Sequence, residues 1–246
     1  MNTRQLGISM IELLVAMLIS SFLILGVTQV YLDNRSNTIF QQNQAGNIEN
    51  SRFTILILEQ ELAKAGYRRR ADHTMEYAFP AENAGGRCGI MKAGQVTKFI
   101  SATEFCIRYQ PAFTGATECN GNLIANIPTK AYGFSADTGL GYARFALNNS
   151  GLTCNGTELT TNIDGLRFNF GVNNLEDERN ITRFTTTPNA DENIRAIQFS
   201  VLAASTTEVT KEPASTIYEY WFDAEPTNKK LYSLFSTSTS MRNQMP

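Results

Sequence analysis

Twenty consecutive residues, "LLVAMLISSFLILGVTQVYL" from 13 to 32, carry no charge, and only Ser20, Ser21, Thr28 and Gln29 among them are clearly polar. At 1.5 Å per residue such a run makes about 30 Å of helix, the depth of a bilayer's hydrocarbon core. A secretory signal has a shorter apolar region followed by a small-residue cleavage site, and "TQVYLDN" offers none. A buried core helix is the competing reading, but the length and position of the run favour a membrane span over residues 8–32.

From Asp33 to Ala65 the text turns polar without losing helical character. It has no proline and is rich in Gln, Glu, Ala and Leu. Ile48, Ile55, Leu58 and Leu62 recur at helical spacing and predict one apolar stripe. Gly66 is a natural terminator, and "RRR" at 68–70 suits the negative end of a helix. An unbroken helix from Ile8 to Ala65 would be about 87 Å long. That exceeds what a globular domain can cover, so its first half should protrude.

Beyond Gly66 the period changes to two. "TEFCIRY" and "LRFNFGV" alternate, and "IRAIQFSVLAAS", "IYEYWF" (217–222) and "LYSLF" read as further strands, separated by loop texts such as "TGATECNGN" and "FSADTGLGY". Residues 67–246 are therefore expected to form an antiparallel β-rich domain packed on the stripe of segment 33–66, an α+β fold in total. Cys88, Cys106, Cys119 and Cys154 all fall in this domain, with no C-x-x-C spacing and only His73 as a possible imidazole ligand. That pattern argues against a metal site or a redox motif and for two disulfides in an oxidising compartment. Four cysteines allow three pairings; the nearest-neighbour pairs, 88–106 and 119–154, are the simplest. A net charge of −2 gives no overall field to gather nucleic acid.

One residue breaks the logic of the apolar segment. Glu12 lies close to its start, and a charge at the centre of a membrane helix costs about 2.5 to 3.5 kcal/mol. Cleavage after Gly7 would resolve the conflict. Ile8 would then carry a free cationic amine one helical turn away, and Glu12 would be its counter-charge, in the same chain or in a neighbour.

The segment "MNTRQLG" followed by "ISMIELLVAMLISSFLIL" resembles a type IV prepilin N-terminus: a short basic leader, a glycine before the cut, a hydrophobic first mature residue, a glutamate four residues on, then an apolar helix. Phenylalanine or methionine is commoner than isoleucine at the first mature position. The resemblance implies a leader over 1–7, cleavage between Gly7 and Ile8 by a prepilin peptidase, and N-methylation of Ile8. "LEQELAKAGYR", "TEFCIRYQ", "ECNGN", "LTCNGTELTTNIDGLRFNFGV" and "NIRAIQFSVLAAS" further resemble, in order, the helix end and later strands of the minor pilins called PilW. That likeness implies a low-abundance subunit that joins other minor pilins and the major pilin, primes pilus assembly and sits at or near the tip. The precursor would be held in the inner membrane with the leader and Arg4 in the cytoplasm and the body in the periplasm. A type II secretion pseudopilin shares the same N-terminus and is the nearest alternative.

Other features carry less. His73 has no nucleophile motif beside it, so neither an enzyme nor a cofactor is implied. "NLEDERN" (174–180) and "NADEN" (189–193) are oxygen-rich but do not match a calcium loop. Arg68, Arg69 and Arg70 could serve DNA or a surface ligand if the β domain were displayed as a binding module.

Overall fold

The computed structural model describes residues 9–130, 132, 139–148, 151–174 and 180–244. A single helix, α1 (Met10–Leu62), runs for 53 residues, about 80 Å. After it come α2 (Met75–Ala78), β1 (Glu82–Asn83), β2 (Ile90–Met91), β3 (Thr97–Ser101), β4 (Glu104–Tyr109), β5 (Gly141–Asn148), β6 (Gly151–Cys154), β7 (Thr157–Glu158), β8 (Ile163–Asn173), β9 (Arg183–Thr185), β10 (Asn193–Glu208), α3 (Thr216–Phe222) and β11 (Lys230–Ser240). The strands are all antiparallel. They form a β1–β2 hairpin, a five-stranded meander β3-β4-β5-β6-β7, and a four-stranded sheet ordered β11-β10-β8-β9.

The two larger sheets share one core with the lower half of α1. Period-two alternation puts Leu166, Phe168, Phe170 and Val172 of β8 and Ile197, Phe199 and Val201 of β10 on its inner side, with Phe168 opposite Phe199 and Phe170 opposite Ile197. Phe105 of β4 meets Phe168 edge-on at 4.7 Å, and Phe99 of β3 meets Phe170 at 5.5 Å, so aromatic rings join one sheet to the other. Leu58 and Leu62, fully buried, bring α1 into this layer.

The helix docks differently from the predicted stripe. Its buried line is Asn47, Ser51, Thr54, Leu58 and Leu62, at steps of three and four, while Ile48 sits beside that line and stays partly open. The upper part of the contact is polar because it follows strand ends rather than core. Asn47 Nδ2 donates to Leu231 O at 2.9 Å, and Thr54 Oγ1 to Thr160 Oγ1 at 3.2 Å. The end of α1 also departs from expectation. The helix stops at Leu62, and Gly66 takes a left-handed φ of +70° further along, where its N–H donates to Arg108 O. The three arginines do not cap it. Arg68 binds His73 O, Arg69 spreads over the carbonyls of Pro111, Ala112, Pro128 and Lys130, and Arg70 pairs with Asp72. Capping falls to Asn243, whose Nδ2 donates to Ala63 O at 2.9 Å and Ala65 O at 3.2 Å.

The segment expected as a strand over 217–222 is the helix α3. Ser215 Oγ caps it by accepting from the N–H of Tyr218 at 3.3 Å, and Asp223 closes it in the left-handed region at φ +54°. Its aromatic residues follow a helical period: Trp221 and Tyr218 face the outer side of the four-stranded sheet against Leu202 and Tyr232, while Tyr220 faces solvent. The loop text "FSADTGLGY" ends inside β5, which starts at Gly141.

Candidate assembly surfaces along the N-terminal helix

Among the described residues, no side chain of α1 is buried before Asn47. Met10, Ile11 and Leu13 through Leu32 are exposed, and no residue of an 18-residue window of mean hydropathy 2.4 is buried. Among the described residues this is the one helix long and apolar enough to cross a membrane. A bare apolar surface of that extent is unstable in water and needs lipid or other helices as cover.

The polar residues of the run do not prevent such cover. Ser20 Oγ donates to Ala16 O at 2.7 Å, Ser21 Oγ to Leu18 O at 2.8 Å and Thr28 Oγ1 to Ile24 O at 2.7 Å, so each hydroxyl proton is satisfied inside the helix. Among the described residues nothing lies within 4 Å of a Cβ placed at Gly26, which therefore presents flat helix surface to whatever packs outside; Gly46 instead lines a cleft against the head.

Glu12 occupies the first turn, where the exposed N–H groups and the helix dipole favour a carboxylate. The Ser9 side chain makes no capping bond, and Leu13 N–H reaches Ser9 O at 3.2 Å. Gly7 and Ile8 lie outside the described residues. The loop at 174–180 falls largely outside them as well.

Below Asn43 the helix meets the head. Thr206 and Thr207 hydroxyls donate to Asn43 Oδ1 at 3.2 and 3.3 Å. Two open clefts of about 320 and 340 Å³ lie between the helix and the outer end of β10, the upper one lined by Leu32, Arg35, Ile39 and Glu208, the lower one by amides including Gln42, Asn43 and Asn50.

The head is stapled by two disulfides. Cys88 is bonded to Cys106 and Cys119 to Cys154, with Cα separations of 5.7 and 6.1 Å. The first staple ties the approach to β2 onto β4, the second ties the loop after β4 onto β6. They are coupled: Arg87, beside Cys88, pairs at 2.6 Å with Glu118, beside Cys119, and Glu118 also accepts from Asn155 Nδ2 and from the N–H of Tyr142. Burial raises the Tyr142 phenol, and its hydrogen bond to Glu82 at 2.5 Å raises it further. Burial likewise raises Tyr109. Arg108 is fully buried; its guanidinium donates to the carbonyls of Phe79, Pro80, Lys92 and Gln95 and fixes the segment between α2 and β3, while desolvation holds its pKa down.

The remaining sequence candidates are engaged elsewhere. In the 189–193 loop Glu192 takes Arg183 on both carboxylate oxygens and the Asn189 N–H, and Asp191 pairs with Lys92. Among the described residues no group of three or more His, Cys, Asp or Glu is placed to hold a metal ion. His73 stacks edge-on with Tyr77 at 4.6 Å.

Comparison with known proteins agrees with this anatomy at both ends of the chain. The family model for the prokaryotic N-terminal methylation motif matches residues 2–28, and the model for type IV pilus-assembly protein W (PilW) matches residues 135–243. The two matches fall on the two parts of the molecule, the apolar N-terminal helix and the β-rich head, and both are to type IV pilin-class models. The C-terminal part of the head, from residue 135 to 243, is similar to the PilW domain. Among solved structures, a type IV-like pilin from Thermus thermophilus matches with a TM-score of 0.45 and 12% identity, covering 81% of this chain and 98% of that one. No curated protein matches the sequence.

Proposed function

We propose that the protein is a minor pilin of a type IV pilus that helps prime assembly and sits at or near the filament tip. Prepilin peptidase would cut the inner-membrane precursor between Gly7 and Ile8, leaving Ile8 as an N-methylated cation and the head in the periplasm. The observation that carries this reading is the bare apolar half of α1 with a single carboxylate, Glu12, in its first turn. Extraction from lipid leaves that surface without cover, and bundling with the helices of other minor pilins and the major pilin restores it; hydrophobic burial drives the association. In the dry bundle an unpaired Glu12 is costly, so the axial register that brings it to a neighbour's N-terminal amine is favoured over others. The match to the pilus-assembly W domain supports a pilus over a secretion pseudopilus. The three arginines at 68–70, each occupied within the chain, offer no shared basic patch and so give no support to DNA capture.

The test is mass spectrometry of the mature N-terminus together with the fate of Glu12→Ala. The chain should begin at methylated Ile8 in both membrane and sheared-filament fractions. The variant should be processed normally yet fall at least about tenfold in filaments, as expected for loss of about 1.4 kcal/mol or more of register energy. An intact leader, or wild-type incorporation of Glu12→Ala, would overturn the reading.

A further inference from the structure

The head ends, on one side, in a strand edge that no strand among the described residues pairs. Other sheet ends are short, with two residues in β7, three in β9 and five, broken by a bulge, in β3, whereas β11 runs for eleven. Met241 N–H donates to Arg195 O across the β10–β11 ladder, which turns the backbone of odd-numbered residues of β11 toward β10. The even-numbered ones face away. Among the described residues, the N–H and C=O groups of Leu234, Ser236, Ser238 and Ser240 find no hydrogen-bond partner. Soluble proteins blunt such edges with lysine, proline or a bulge. From Leu231 to Ser240 this edge has no charge and no proline, and its register with β10 is regular from Tyr232 on.

The orientation of α1 narrows what can fill it. Asn47 bonds Leu231 O, Thr237 bonds Glu59 and Asn243 bonds Ala63, so helix and strand advance side by side in the same direction. Antiparallel closure of two β11 edges about a two-fold axis would therefore aim the two apolar helices oppositely, which a shared membrane or a polar filament forbids. This step rests on the pilin reading. We propose that the β11 edge is a strand-addition site completed by an extended, uncharged segment of a different subunit of the assembly, bonded through the backbone of Leu234 to Ser240.

Amide hydrogen exchange on the full-length chain tests this. Purified alone in detergent, the amides of Leu234, Ser236, Ser238 and Ser240 should exchange freely while those of Phe235, Thr237 and Thr239 are protected. In sheared filaments and native membranes the even-numbered set should slow by about tenfold or more. Equal exchange rates in both states would overturn the proposal. So would protection already present in the purified chain as a dimer, because a second copy would then be the occupant. The double variant Ser236→Pro/Ser238→Pro removes two outward backbone donors and no backbone bond to β10, and Ser236→Lys/Ser238→Lys supplies the missing edge charges without altering the backbone; each gives up only the exposed hydroxyl contact of Ser236 with Ser200. Either should keep wild-type N-terminal processing and melting temperature and lose at least about tenfold in filament incorporation; incorporation at the wild-type level by both would also overturn it. Failure of the pilin reading shows separately, as an unprocessed N-terminus and absence of the unaltered chain from filaments. The edge is then read in membranes alone, where slowed even-numbered amides support it and unchanged ones reject it.

Discussion

Gly165 shows how much can depend on a missing atom. A Cβ there would stand 2.4 Å from Trp221 Nε1, so only glycine lets the indole lie flat on β8, with the Arg167 guanidinium 4.3 Å from the ring and bonded to Trp221 O. Gly165→Ala should push Trp221 off the sheet and cost about 1 to 3 kcal/mol. Trp221 is the single tryptophan, so a red shift of its emission and a lower melting temperature report the same event. Buried tyrosines supply a second residue-scale handle. Tyr109 and Tyr142 both have phenols raised above the ordinary value of about 10. As pH climbs past that value the unfolded chain ionises these groups and the folded chain does not. The stability they contribute is therefore whole below about pH 10 and declines above it. Unfolding free energy measured by denaturant should fall across alkaline pH, and Tyr142→Phe should flatten part of the slope.

Among the elements, α1 carries two unrelated jobs along one axis. Its first half is defined by what it leaves bare and its second by the line Asn47, Ser51, Thr54, Leu58 and Leu62. Only the last two lie in the main core, so docking strength concentrates there. Leu58→Ala should cost about 2 to 5 kcal/mol, read as a lower denaturant midpoint, whereas an exposed position such as Leu56 should tolerate alanine with little change. The staples act on the meander. Replacing Cys119 and Cys154 together by serine releases a loop of separation 35 and should cost about 3 to 4 kcal/mol by the chain-entropy relation, read as a drop in melting temperature absent from the wild type until it is reduced. The helix α3 shows where propensity misleads: "IYEYWF" has strand composition, yet the Ser215 cap before it and the sheet face awaiting Trp221 make it helical.

At the scale of the molecule, a rod and a head answer two solvents. The apolar span, its lone glutamate and the change from helical to alternating period at Gly66 are local patterns, readable along the chain because burial on a helix or strand repeats every 3.6 or 2 residues. They were enough for the α+β architecture, the protruding helix and most long strands. They did not reach the partners of the three arginines, since which carbonyl a guanidinium meets depends on loops brought together from 110 to 130. Nor did they reach Asn243 as the cap of α1, a contact spanning some 180 positions. The open edge of β11 was hidden for the same reason. "LYSLFSTSTS" reads as a strand wherever it sits, and whether its outer backbone is paired depends on strand order, a long-range property that side-chain pattern does not encode. The apolar span and its glutamate follow from composition in sequence order; the docking line, the caps and the free edge follow from chain closure in space.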